Sequence, residues 1–533
     1  MFRDDPNARA VYSEAAGIAR IEPLAVAVPE DARDLAALVQ WAHATGTPLV
    51  PRGSGSSMAG GAIGAGVVVD LSRRASIGVV DRERRCVRVE PGAVQRAVDA
   101  AARASGLRFP VAPSSAPFCT IGGMAATNAA GAQSMHAGTM RPWVQAIDCV
   151  FDDGTRGSLR RGTPPPLEVP AVARFGAEAP ALRAEELAQP SRHPGVRKDS
   201  SGYALADWSR SGDLVDLMVG SEGTLALFVG FELALAPIAP ATSTVLGVFA
   251  SLEQAVAAAE LARDRNAAAC ELLDRTFLDV VRAGGSTAIR PDAEAVLLVE
   301  LEDEDEYATT TRARGLDLAF RRAGALEVQL ALDEASAHAL WALRHAASPI
   351  LARLDPQVKS MQVIEDGAVP PAQLPTYVRG VRAILARHEL RGVIFGHAGD
   401  AHVHVNALVD VRATGWRARV AAVLDEVTDL IARLGGTPSG EHGDGRLRAP
   451  LLARCWTPDA LARFARVKRA FDPRGILNPG AKLPLAHQAA LEAIKYDPAL
   501  PPLPDAARAV LDRVERERAY ASFRLAMLEE VAR

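Results

Sequence analysis

Apolar residues recur with helical spacing in EDARDLAALVQWAHATG, residues 30–46, where Gly46 closes the run, and TPLVP after it reads as a short strand. The strand CVRVEP leads into a second helical pattern, GAVQRAVDAAARASG, ending at Gly106. Helices and short strands alternate up to LALFVGFELAL, Leu225 to Leu235, whose in-out alternation Pro237 and Pro240 terminate. From about Ser243, strands such as AVLLVELED alternate with helices such as VRGVRAILARHEL, the pattern of an α+β layer. VIF (393–395) reads as the end of a buried strand, AGDA as a turn and HVHVNALV as a further strand. Its alternation places His402, His404 and Asn406 on one face and Val403, Val405 and Ala407 on the other. His397, at the lip of the preceding strand, is within reach of His404 across the turn. Residues 417–434 form an apolar-periodic helix, and GGTPSGEHGDGR after it is too glycine-rich to be one. Past Pro484, DPALPPLP reads as a stiff linker and the remainder as one amphipathic helical stretch. The expected class is α+β, divided into 1–240, 241–435, 436–484 and a tail, 485–533, with no assigned role.

The charge balance narrows the partners. A net charge of -4 and a pI near 6.3 over 533 residues provide no basic field, so nucleic acid is not an expected partner. The five cysteines are scattered without a CxxC pair, which excludes a disulfide scaffold and a cysteine-ligated iron–sulfur cluster. A reducing compartment follows. The first residues lack a basic segment followed by an apolar run, and no apolar stretch reaches membrane-spanning length. A soluble, cytoplasmic protein is expected, with peripheral membrane contact left open.

Candidate chemistry begins in the glycine-rich loops. PRGSGSSMAGGAIGAG follows a strand, but Arg52, Gly53, Ser54, Gly55, Ser56 and Ser57 lead to GVVVDLS, another strand, and the third glycine of a Rossmann fingerprint is missing. Such a loop can still cradle a pyrophosphate with backbone N–H groups. TIGGMAATNAAG repeats the chemistry with Thr120, Gly122, Gly123, Ala126, Asn128 and Gly131, as do KDSSGY and GSEGT, the latter with Gly220, Glu222 and Gly223. Loops of one kind within one region point to a long cofactor lying across them. The stretch GHAGDAHVHVN allows a metal site, a catalytic site or a polar strand face. Histidines plus a glutamate alone would also fit a zinc hydrolase, which leaves the loops unexplained.

PRGSGSS, PSSAPFCTIGGMAATNAAG, GSEGT, GHAGDAHVHVN, SGEHGDGR and FDPRGILNPGAK occur in the order found in the flavoprotein family of D-lactate, glycolate and D-2-hydroxyglutarate dehydrogenases. The chain resembles that family, of the vanillyl-alcohol-oxidase type, over about residues 12–482. The resemblance implies a PCMH-type FAD-binding domain of two α+β subdomains and an α+β cap domain, with 436–484 completing the active site and returning to the FAD domain. It adds Pro113, Ser114 and Asn478 to the cofactor-binding residues. Ser56 stands where covalent members of the broader superfamily have a flavin-linked histidine, so noncovalent FAD is expected.

For the reaction, the resemblance implies oxidation of a D-2-hydroxy acid to the 2-oxo acid by hydride transfer to flavin. His397, His404 and Glu441 match the metal ligands, a set that suits zinc, with manganese or iron as alternatives. His442 matches the base, and Arg344 the arginine that holds the carboxylate. Asn406, Ser348 and Lys359 are further candidates for substrate contact. His402 stands where the family usually has asparagine; alternation makes it a candidate competing ligand, and a role behind the ligands is the favoured expectation for it. Ala401 replaces a usual glycine, and Asp444 replaces an apolar residue and adds negative charge near the base. With no iron–sulfur domain, electrons must pass to an external acceptor: a quinone, a cytochrome or an electron-transfer flavoprotein. A homodimer is left open. The alternative is a noncatalytic flavin-binding subunit of a glycolate-oxidase-like complex, and retention of Arg344, His397, His404, Glu441 and His442 argues against it.

Overall fold

The short apolar runs near the start of the chain assemble into a four-stranded sheet in the order Phe2–Arg3, Ala25–Ala27, Val67–Asp70, Leu49–Arg52, the last three parallel. This computed structural model describes residues 1–283, 289–351 and 357–531, with the backbone alone for 345–351. VVVD has no polar alternation because both faces of a parallel sheet are covered. Val67 and Val69 pack with Leu35 and Val39 of the helix Ala32–Thr45, while Val68 packs with Val11 and the tail. Asp31 caps that helix and Gly46, at φ 71, ends it, as the pattern predicts.

A second, antiparallel sheet orders Cys86–Val89, Leu227–Ala234, Val144–Val150 and Arg156–Arg160. Its strand Leu227–Ala234 is buried along nearly its whole length rather than on one face. The reason is its position between two cores: Phe228 and Phe231 enter one, Leu227 and Val229 the other. The helix Pro458–Phe471 returns from far along the chain to pack on Pro170–Ala188, with Phe464 and Phe471 in the core of this second sheet.

The strands between Ala241 and Asp410 form an eight-stranded sheet covered on both faces. Alternate residues separate its two cores, Val245 and Leu297 to one side, Leu246 and Leu298 to the other. The strands Arg391–His397 and His402–Asp410 are antiparallel neighbours with Phe395 opposite His404, and Glu271 on Ala269–Asp274 lies opposite His397. Ala401 closes the intervening turn at φ 55, the left-handed region that glycine adopts more readily. Among the described residues no helix is long and apolar enough to cross a membrane.

The tail is two helices, Asp505–Glu517 and Arg524–Val531, separated at Arg518, which stands at φ 55. The break lets Leu525 and Met527 reach the core already occupied by Val510 and Val514, where both helices cover Pro6–Val11 and one face of the parallel sheet. From there Arg524 donates to the Ser54 carbonyl at 3.4 Å.

Candidate active site

The loops after the parallel strands and the edge of the large sheet enclose one cleft of ≈ 340 Å³. Of the cofactor residues predicted from the sequence, Arg52, Gly53, Ser54, Gly55, Ser56 and Ser57 line it. So do Pro113, Ser114, Thr120, Gly122, Gly123, Ala126 and Gly131, and, from the GSEGT loop, Glu222 and Gly223. Close approach requires the small residues: a Cβ on Gly131 would stand 2.3 Å from the Ala112 carbonyl oxygen, and one on Gly53 2.1 Å from Thr120 Oγ1. Arg52 turns its guanidinium to the carbonyls of Tyr12, Glu14 and Ala62, so it braces the loop from behind. The Glu222 carboxylate accepts from the backbone N–H groups of Asp444 and Gly445 at 2.7 and 2.9 Å.

Asn128, Gly220 and Asn478 lie outside the lining and hold the cradle together. Asn128 caps the helix Ile121–Thr127 in the left-handed conformation and accepts from the Arg141 N–H. Gly220, at φ 92, donates its N–H to the Ala125 carbonyl. Asn478 Nδ2 bridges the carbonyls of Gly61 and Glu222, tying the first loop to the GSEGT loop. Lys359 does not line the cleft either, since its ammonium sits 5.2 Å from the Tyr496 ring. Ser348 lies outside the residues whose side chains are described.

At the other end of the cleft stand Arg344, His397, His404, Asn406, Glu441 and His442. His397 Nε2 and His404 Nε2 lie 3.2 and 3.5 Å from Glu441 Oε1. Lys198, from the KDSSGY loop, reaches Glu441 Oε2 at 3.0 Å. His442 stacks on His404 with ring centroids 5.2 Å apart. Asn406 is 5% exposed, and its Oδ1 has no hydrogen-bond partner among the described residues.

Sequence reading passes over the acids behind these groups. Glu271, fully buried, joins His397 Nδ1 at 2.5 Å to Arg344 Nε at 2.6 Å. Glu365 accepts from Arg448 and stands 3.2 Å from His442 Nδ1. Asp366 binds His402 Nε2, Ser439 Oγ and the backbone N–H of His442. Each carried a signal: Glu271 inside the apolar strand ACELLD, which Asp274 ends, and an acid pair inside VIEDGAV. Asp444 does not add free charge near the base, because buried Lys482 stands 3.2 Å from it and the Gly202 N–H donates to it.

These neighbours set the ionisation of the protein groups. Burial works against charge on Glu441, yet Lys198, His397 and His402 hold its carboxyl well below the usual range. Burial likewise opposes charge on Glu271, but His397 and Arg344 keep it ionised. Burial pushes His404 well down, with His402 adding to it, and also lowers His402. In His397 the Glu271 carboxylate outweighs burial and raises the pKa. In His442, Asp366 and Glu365 outweigh burial and raise it to about 9.

The donor set of two imidazoles and a carboxylate fits a divalent metal, and the small-residue cradle fits a flat, elongated cofactor. Residues 23–159 match the FAD binding domain family, and residues 238–481 the family of FAD linked oxidases, C-terminal domain. The glycolate oxidase subunit GlcD of Escherichia coli (strain K12) is 30% identical over 88% of this chain and 86% of its own. The chain belongs to this family of FAD-linked oxidoreductases. GlcD of Bacillus subtilis (strain 168) is 29% identical over 90% of this chain and 93% of its own. Other members carry the names D-lactate dehydrogenase and D-2-hydroxyglutarate dehydrogenase. The fold is that of the vanillyl-alcohol-oxidase-type flavoproteins: 4-ethylphenol oxidase from Gulosibacter chungangensis superposes with a TM-score of 0.67 at 15% identity, covering 91% of this chain and 95% of that one.

Proposed function

We propose that this FAD-linked oxidoreductase oxidises a D-2-hydroxy acid to the 2-oxo acid and passes the electrons to an external acceptor, a quinone, cytochrome or electron-transfer flavoprotein. The observation that carries the reading is that one cleft has the cradle of small residues at one end and Arg344, His442 and the His397, His404, Glu441 cluster at the other. FAD, when bound, supplies the hydride acceptor, and Ser56 gives it no imidazole to be tethered to. A divalent cation, when held by His397, His404 and Glu441, supplies a Lewis acid beside the substrate hydroxyl.

Arg344 holds the substrate carboxylate. Its Nε is fixed by Glu271 and its guanidinium carbon lies 5.0 Å from the Phe395 ring, which orients the planar fork before substrate arrives. His442 takes the hydroxyl proton. Asp366 and Glu365 strengthen it as an acceptor but, with its pKa at about 9, leave only a neutral minority to act at neutral pH, and its 25% exposed side chain opens a route by which the proton leaves to solvent. Asn406, with its buried unpartnered oxygen, is placed to accept a hydrogen bond from the substrate.

Anaerobic addition of D- and L-lactate, glycolate and D-2-hydroxyglutarate to the yellow protein tests the reading. At least one of glycolate and the D acids should bleach the visible flavin band while L-lactate leaves it, and acid precipitation should leave the colour in the supernatant. A band that none of these acids bleaches would count against the proposal.

A further inference from the structure

We infer that His402 is a third histidine ligand, so that this chain holds its metal with His397, His402, His404 and Glu441. The inference rests on the metal proposed above and adds to it. His402 and His404 are two positions apart on the strand His402–Asp410, on the same face as Asn406. All three histidine rings have one nitrogen tied to an acceptor behind the cluster: His397 Nδ1 to Glu271 Oε1 at 2.5 Å, its Nε2 facing Glu441 Oε1 at 3.2 Å, His404 Nδ1 to the Glu365 carbonyl at 2.6 Å, and His402 Nε2 to Asp366 Oδ1 at 2.9 Å. Carboxylates and carbonyls only accept, so in the neutral ring the tied nitrogen carries the proton and the other presents a bare lone pair.

Those lone pairs belong to His397 Nε2, His404 Nε2 and His402 Nδ1. One ligand atom from each ring and one from Glu441 all lie within 4.8 Å of one another. His402 Nδ1 is 3.9 Å from Glu441 Oε2, the oxygen that Lys198 also approaches, while Oε1 faces the other two histidines. Among the described residues His402 Nδ1 has no hydrogen-bond partner, and the residue is 0% exposed, so water does not satisfy it. Buried polar atoms are rarely left so. A lone pair facing a carboxylate is repelled, and a cation shared by both removes the conflict. The imidazole packs against Gly440, where a Cβ would stand 2.7 Å from His402 Nε2, so it fills the space that glycine leaves. An outer carboxylate on a ligating histidine is the usual device that fixes its tautomer.

The ligand count has a consequence for the metal. Four protein ligands complete the tetrahedron that zinc favours, so a substrate oxygen enters only as a fifth ligand, which manganese and iron accept more readily. His402 therefore moves the expectation from zinc toward manganese or iron.

Loading the full-length flavoprotein with Zn²⁺ and counting imidazoles by X-ray absorption fine structure tests the assignment. Three are expected in the parent, three in His442→Ala and two in His402→Asn. In His402→Asn the Zn²⁺ dissociation constant measured by chelator competition should rise by at least about tenfold, the lower bound seen when even outer partners of a metal site are lost. An unchanged flavin spectrum would report that this variant is folded. Two imidazoles in the parent overturn the role of His402 and leave the His397, His404, Glu441 site standing. A parent that binds no Zn²⁺ through imidazole overturns both. Should His402→Asn fail to fold, the parent's count decides alone.

Discussion

Gly53, Gly122 and Gly131 make room at one end of the cleft, each so close to a neighbouring loop that a Cβ would collide. At the other end six ionisable side chains, Arg344, Glu365, His397, His404, Glu441 and His442, gather on the cleft wall, all but His442 buried. The cradle's small residues leave the backbone of its loops open to the cleft, and its charged members, Arg52 and Glu222, are engaged by the protein's own backbone. The cluster works by accumulating charge and balancing it from behind with Glu271, Asp366 and Arg448. The difference predicts that binding of cofactor and rate of chemistry separate experimentally. Changes at the cradle should cost flavin retention, and changes at the cluster should cost turnover.

Metal removal should show the largest contrast. Lewis-acid stabilisation is worth several kcal/mol, so chelation should reduce turnover to a trace while the visible flavin spectrum stays intact. Full turnover in a rigorously metal-free preparation, or loss of flavin together with the metal, would break the comparison. Within the cluster, His442→Ala should slow flavin reduction at saturating acid by roughly a hundred- to ten-thousandfold, the usual contribution of a general base. Arg344→Ala should chiefly raise the substrate concentration required, because the carboxylate it is proposed to hold is charged throughout the reaction. Rapid-mixing flavin reduction across substrate concentrations separates the two patterns. A His442→Ala protein reduced at the parent rate would require another base.

The same contrast explains what the sequence revealed. The cradle is local: glycines, serines and threonines stand next to one another, and the strand that follows the first loop already excludes a Rossmann turn. The helix ended by Gly46 and the paired strands around His397 were equally legible, because capping and alternation act over a few residues. The acids behind the cluster were not. Glu271 meets His397 only through a register between strands that are 126 positions apart in the chain, and Asp366 meets His402 through a loop. The two-helix tail was read as one stretch because its break at Arg518 follows from the shape of the core it covers rather than from glycine or proline.

A smaller effect sharpens the cradle side. In Gly131→Ala the new methyl group would press on the Ala112 backbone, which cannot swing aside as a side chain could. The strain should amount to about 1–3 kcal/mol, expressed as a lower melting temperature and faster loss of flavin on dilution. The rate of flavin reduction in the molecules that keep it should stay near the parent value. Retention equal to the parent would show that the loop is not a close-fitting cradle.

The smallest expected effect lies at the seam that holds the two ends in register. Arg108, beside the cradle, grips Glu302 of the large sheet through two bonds of 2.6 and 2.9 Å, and His136 approaches the same carboxylate at 3.4 Å. Burial alone would raise the Glu302 pKa, but the bonds from His136 and Arg108 lower it from the ordinary 4.5 to about 2. The folded state therefore binds this proton more weakly than the unfolded chain. Its contribution to stability is complete above 4.5 and disappears as the pH falls toward 2. Both side chains are partly covered, at 15% and 9% exposure, and the pair should be worth on the order of 1 kcal/mol near neutrality. Thermal unfolding of the parent and Glu302→Gln, followed by flavin fluorescence, should show a gap near neutral pH that narrows steadily in acid. A gap that holds constant across that range would mean that the contact joins the two regions by shape alone, without help from its charge.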